Sequence, residues 1–293
     1  MCERGEPAGH AERIRIGCHP YPAALSDLRA PPIQLFAIGN IRTLDHAPDR
    51  SVAIVGTRDA SPYGVRVASE LAGALAATGI CVISGMARGI DSSAHRGALR
   101  AGGHTVAVLG SGVDVPYPAA NRALHQSIME HGLVLSESEP GTRPGPGSFP
   151  RRNRIIAALA RVTIVVEAPY KSGAINTASQ ALELGRIVAA VPGPIDSDRS
   201  AGTNLLLRDG AQVIATVEDA LGLFGEYRRA TAPETPTDDV EFSLWSALAS
   251  GAAPPDALRR RTGLSVREVL EGLARLELTG LVRHSATGDV ERL

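Results

Sequence analysis

The chain of 293 residues holds three cysteines, one tryptophan and a single lysine, and its aromatics reach only 3 %. Cys2, Cys18 and Cys81 form no CxxC pair, so neither a disulfide framework nor a zinc site is expected. No apolar run approaches the length of a membrane span, and the charged first residues lack a signal-peptide core. A cytoplasmic protein without membrane contact is the expectation. Thirty basic residues stand against thirty-one acidic ones, a formal charge of −1. That balance excludes a globally basic nucleic-acid binder and leaves room for a local basic patch.

Two missing motifs narrow the chemistry. A dinucleotide fold wants GxGxxG after its first strand and an acidic residue closing its second. Here the first turn reads Gly56-Thr57-Arg58-Asp59-Ala60-Ser61, and the second strand ends in Ser84-Gly85. NAD is not expected. Lys171-Ser172 follows Pro169-Tyr170 with no P-loop glycine, so ATP hydrolysis is not expected either. No cofactor, metal or catalytic residue is assigned.

What is present is regular alternation. β-Branched or apolar strands at 51–57, 80–84, 104–109, 132–136, 161–167, 187–191 and 211–215 alternate with segments of helical spacing. The helices are expected near 91–101, 119–131, 151–160, 173–185, 203–209 and 217–223, with one more around Val65–Leu75. The pattern predicts an extended Rossmann-like parallel sheet with helices on both faces. Residues 1–18 are polar and predict a flexible N-terminal segment. Residues 19–224 form the Rossmann-like domain, and 225–239 read as a linker. Within 240–293, three helices and a possible hairpin follow the winged-helix order. Its third helix carries Glu268, Glu271 and Glu277, poor for groove reading, so protein contact stands beside DNA contact as its role.

Three turns repeat one logic: a strand, a glycine-bearing turn with a cation, then a helix N-terminus that favours anions. Gly85 and Gly89 open the turn Ser84–Asp91 to a ligand, and Arg88 supplies charge. Asp91 reads as the helix N-cap, with His95 hydrogen-bonded in the turn network. Lys171, Ser172 and Gly173 form a second such turn, and Arg58 stands in the first. Phe149-Pro150-Arg151-Arg152-Asn153-Arg154 is the densest basic stretch, at the start of a helix. Arginines there reinforce the positive end of the helix dipole, which points to an anion, and an aromatic beside them suits base stacking. A solvated charge cluster with Phe149 packed inward is the plain alternative. Glu167 closes a strand, where it orders a neighbouring loop or orients a ligand.

These residues in this order resemble the DNA-processing protein A (DprA, or Smf) family. The similarity runs over Tyr21-Pro22, Val52–Arg58, Ser84–Asp91 with Ala94-His95, Tyr117-Pro118, Ser136-Glu137, Phe149-Pro150, Arg152–Ile156, Val166–Ala168, Ser172-Gly173 and Val191–Gly193, in this order along the chain. The resemblance implies a protein without known enzymatic activity. It implies single-stranded DNA bound in a basic pocket, a homodimer, and loading of the RecA recombinase in natural transformation. Carried over by motif, Arg58, Arg88, Phe149, Arg152, Asn153, Arg154 and Lys171 become candidate DNA contacts. The helical domain that many members carry before the Tyr-Pro motif is expected to be absent, because only about twenty residues precede it. The competing reading is an enzyme acting on a nucleoside phosphate, similar to phosphoribohydrolases; their Pro-Gly-Gly-x-Gly-Thr signature is replaced here by Tyr170-Lys171-Ser172-Gly173-Ala174. A protein-binding adaptor is a third.

Overall fold

The structure is a computed structural model, and it describes residues 11–45, 48–226, 236, 238–279, 281–285 and 288–292. Two compact units divide the chain, 1–227 and 228–293. Residues 1–10 of the expected flexible segment, and most of the expected linker, lie outside the described residues.

The first unit opens with β1 (Glu12–Arg15) and β2 (Gln34–Gly39). Strands and helices then alternate: β3 (Ser51–Val55), α1 (Pro62–Ala77), β4 (Cys81–Ser84), α2 (Ile90–Arg100), β5 (Thr105–Leu109), α3 (Arg122–His131) and β6 (Leu133–Ser136). The second run is α4 (Ser148–Leu159), β7 (Val162–Val165), α5 (Gly173–Glu183), β8 (Ile187–Ala190), α6 (Asp198–Arg208), β9 (Gln212–Val213) and α7 (Val217–Gly222). One nine-stranded sheet results, in the order β1-β2-β6-β5-β4-β3-β7-β8-β9.

Side chains alternate across the sheet as strand geometry requires. On β3, Ala53 and Val55 enter the core under α4 and α5. Val52 and Ile54 enter the opposite core with Ala68, Leu71 and Leu75 of α1 and Ala94 of α2. Burial on both faces explains why the central strands read as unbroken apolar runs.

Several features depart from the sequence reading. Residues 12–15 pair with β2 in antiparallel register, Ile14 opposite Leu35. Only Ile14 of the four is buried, so an edge strand with three polar positions looks like coil in composition. β2 also runs antiparallel to β6, because no crossover helix links it to a parallel neighbour. α4 begins at Ser148, not near residue 151, with Gly147 at φ 81° as its N-cap residue. Phe149 and Pro150 therefore sit in its first turn, where a missing N–H costs nothing.

The second unit packs α8 (Asp239–Ala247), α9 (Pro255–Thr262) and α10 (Val266–Leu278) on the hairpin of β10 (Val282–His284) and β11 (Val290–Arg292). Leu244, Trp245, Leu258, Leu273, Leu276 and Val282 form its own core. Ser265 and Glu268 make a capping box at the start of α10. Among the described residues no helix is long and apolar enough to cross a membrane.

Candidate nucleic-acid interface

From β3 the chain steps through β4 and β5 to β6, then returns to lay β7 on the other side of β3. The strand order reverses there, and loops beyond the carboxyl ends of β3 and β7 must diverge. A crevice of about 260 Å³ occupies this point. Gly56, Thr57 and Arg58 line it from β3, Ala87 and Asp91 from β4–α2, Phe149, Arg152 and Asn153 from α4, and Ser172 and Gly173 from β7–α5.

Its walls are tied together before any ligand arrives. The Thr57 N–H donates to the Glu167 carbonyl at 2.7 Å. The Glu167 carboxylate accepts from the Ser61 hydroxyl at 2.5 Å and the Ser61 N–H at 2.9 Å. Glu167 thus orders the loop that carries Arg58. Asn153 donates to the Gly173 carbonyl at 3.1 Å and to Asn176 at 3.3 Å, fixing α4 to the start of α5. Ser172 is the N-cap of α5, accepting from the Ile175 N–H at 3.3 Å.

Arg152 is placed quite differently from an open phosphate contact. It is 7 % exposed. Its guanidinium donates to the Gly85 carbonyl at 2.7 Å and to the Val108 carbonyl, and its Nε donates to Asn153 at 3.3 Å. Burial lowers it to about 10, with Asp91 pulling the other way, so it stays charged. Asp91 is raised by burial, while Arg152 and the backbone N–H groups of Ala87, Gly85 and Gly56 act to lower it. A Cβ at Gly85 would stand 2.5 Å from that guanidinium. Gly85 is therefore needed to admit Arg152, not an incoming phosphate. Gly89, at φ 78°, is the N-cap residue of α2 and packs on the Thr57 and Arg58 carbonyls.

Asp91 lies inside the first turn of α2, and its Oδ2 accepts from the Gly85 and Ala87 N–H groups at 3.1 and 3.4 Å. It braces the turn ahead of the helix instead of capping the helix, because Gly89 takes the N-cap position. His95 is 0 % exposed and joins Thr105 of β5 at 2.7 Å, not the turn. One helical turn past Asp91, it faces the sheet. Ser84 donates to the Ile54 carbonyl. Ser84 and His95 thus have separate partners.

The basic start of α4 is compensated from within. Glu137 takes Arg151 at 2.8 Å and Arg154 at 2.6 Å. Arg154 is only 17 % exposed in its side chain and also donates to the Ala30 carbonyl. It does not line the crevice with Arg58 and Arg152. The unfavourable dipole is thus offset by a carboxylate 17 residues before Arg154 in the chain.

Three cations remain open. Arg58 is exposed, with its guanidinium 5.0 Å from the centre of the Phe149 ring. Arg88 sits between Ala87, a wall of the crevice, and Gly89; Lys171 sits between Pro169 and Ser172, two more wall residues. Both are exposed and have no ion-pair partner among the described residues. Sequence reasoning passed over Tyr117 as a site residue. Its ring lies 5.4 Å from that of Phe149, and its place in a Tyr-Pro turn after β5 was the available signal.

Fold and crevice together define a doubly wound α/β protein with a cationic, partly aromatic cleft at its topological switch. The family model for DNA recombination-mediator protein A matches residues 13–225, and that of the DprA winged helix domain matches residues 228–287. The chain belongs to the DNA processing protein A family. It is 45 % identical over 258 residues to a putative DNA processing protein DprA of Mycobacterium tuberculosis, covering 85 % of this chain. It spans 66 % of the length of that relative. The X-ray structure of DNA processing protein A from Streptococcus pneumoniae superposes with TM-score 0.68 at 39 % identity, over 72 % of this chain and 74 % of the other. The Helicobacter pylori DNA processing protein A, solved for its single-stranded DNA binding mode, gives TM-score 0.67 at 34 % identity, over 74 % of this chain and 98 % of the other.

Proposed function

We propose that this chain binds single-stranded DNA across the carboxyl ends of β3, β4 and β7, with Arg58, Arg88 and Lys171 as its phosphate contacts. One observation carries the reading: Arg58 and Phe149 line one crevice together, and the exposed Arg88 and Lys171 directly adjoin its wall residues Ala87 and Ser172 in the chain. A single phosphate needs fewer; a flexible backbone tracking several phosphates fits the spread. The Helicobacter pylori relative is described by its single-stranded DNA binding mode, which supports the same ligand here. Within the family's role the chain acts as a recombination mediator without catalysis, as a homodimer in the cytoplasm. It protects incoming strands and loads RecA recombinase in natural transformation.

The test is an equilibrium titration of labelled single- and double-stranded oligonucleotides at several salt concentrations. Single strands bind more tightly, and the logarithm of affinity falls with that of salt by about 0.7 per phosphate contact. Arg88→Ala weakens binding and flattens the slope by about that amount. Equal or tighter duplex binding, or an unchanged slope in Arg88→Ala, overturns the reading.

A further inference from the structure

Phe149 is the aromatic that the sequence offers for base stacking, but its surroundings are largely taken. Its Cδ1 would be 3.3 Å from a Cβ at Gly110, so the ring edge rests against that backbone. The Arg58 guanidinium covers it at 5.0 Å, and Tyr117 meets it at 5.4 Å with 35° between the rings. Tyr117 is 43 % exposed, and its hydroxyl has no hydrogen-bond partner among the described residues. An exposed ring held on one side by another ring is pre-organised: little further order is lost when a flat ligand covers it.

We propose that Tyr117 is a base-stacking residue of the nucleic-acid cleft, carrying the strand past Phe149 toward the end of β5. This rests on the single-stranded DNA reading above. Stacking is indifferent to base identity, because every base has a π-face, so Tyr117 adds affinity without sequence preference. It adds no charge, so its contribution does not depend on salt as that of the arginines does.

The experiment compares wild type, Tyr117→Leu, Tyr117→Trp and Arg88→Ala in the full chain. Binding of oligothymidylate is titrated at several salt concentrations, and an oligonucleotide bearing 5-iododeoxyuridine is photocrosslinked and mapped by mass spectrometry. Leucine keeps apolar cover on Phe149 but has no π-face. Tyr117→Leu is expected to bind about 5- to 150-fold more weakly with an unchanged salt slope, while Tyr117→Trp binds like wild type. The crosslink falls on Tyr117. Wild-type affinity in Tyr117→Leu, equal losses in the leucine and tryptophan variants, a flattened slope in Tyr117→Leu, or a crosslink at Phe149 that leaves Tyr117 unmodified each overturns the proposal. If Arg88→Ala weakens binding while Tyr117→Leu does not, this proposal alone falls. If wild type fails to bind single strands, both readings fall.

Discussion

Arginines of one short stretch meet three fates. Arg152 is buried and donates to backbone carbonyls, Arg154 is locked to Glu137, and Arg151 shares the same carboxylate from an exposed position. Only those that the fold leaves unpaired can exchange water and counterions for phosphate at little cost. His95 shows the opposite extreme. Burial lowers it to about 3, with Arg152 and Arg96 acting in the same direction, so it stays neutral in the folded state. Its ordinary value is 6.5, so between about 6.5 and about 3 the unfolded chain binds a proton that the folded chain refuses. Stability therefore falls as pH drops through that window, by about 1.4 kcal/mol per pH unit from this group. His95→Gln, which keeps a polar partner for Thr105, is expected to flatten that acid slope. Urea midpoints of both proteins at pH 7, 6 and 5 measure it, and parallel slopes would remove His95 as the cause.

At the scale of elements, α4 does most to build the cleft. Its first turn supplies Phe149, its second supplies Arg152 and Asn153, and Ile155 and Ile156 anchor it to the sheet. Its cationic N-terminus is tolerated because Glu137, just past β6, faces it. Glu137→Gln removes one negative charge beside the cleft and frees Arg151 and Arg154 from their ion pairs. Single-strand affinity is then expected to rise a few-fold at low salt, with the gain fading as ionic strength screens it. Filter binding at low and high salt reads this directly, and an unchanged or weaker low-salt affinity would show that Glu137 acts by holding α4 in place. The third helix of the second unit offers phosphates less. On α10, Arg267 is paired with Glu271 at 2.8 Å, and Val266 and Leu270 are exposed. That surface is ill suited to phosphates.

For the whole molecule, the cleft is assembled entirely within the first unit, and the second has its own core. Removing residues 228–293 is expected to leave most single-strand affinity intact, with a change of less than about threefold, well under one phosphate contact or stack. Titration of the truncated chain, with circular dichroism as the check on folding, decides it. Loss of nearly all binding in a folded truncation would place the site in the second unit.

The sequence by itself determined the succession of strands and helices, the doubly wound sheet and the place of the glycine-bearing turns. Apolar periodicity and glycine-bearing turns are local signals, readable over ten or fifteen residues. The winged-helix order of the second unit was legible for the same reason. β1 escaped notice because one buried residue in four leaves no periodic trace. What only the tertiary structure decided was which charges remain free. Arg152 finds its carbonyl 67 residues away at Gly85, and Glu167 orders a loop 106 residues earlier in the chain at Ser61. Helical spacing puts Arg151 and Arg154 one turn apart and Arg152 on the side of Ile155 and Ile156, but the carboxylate and carbonyls that receive them are neighbours only in space. The same holds for Tyr117, whose ring meets Phe149 only because the fold packs α4 against β5.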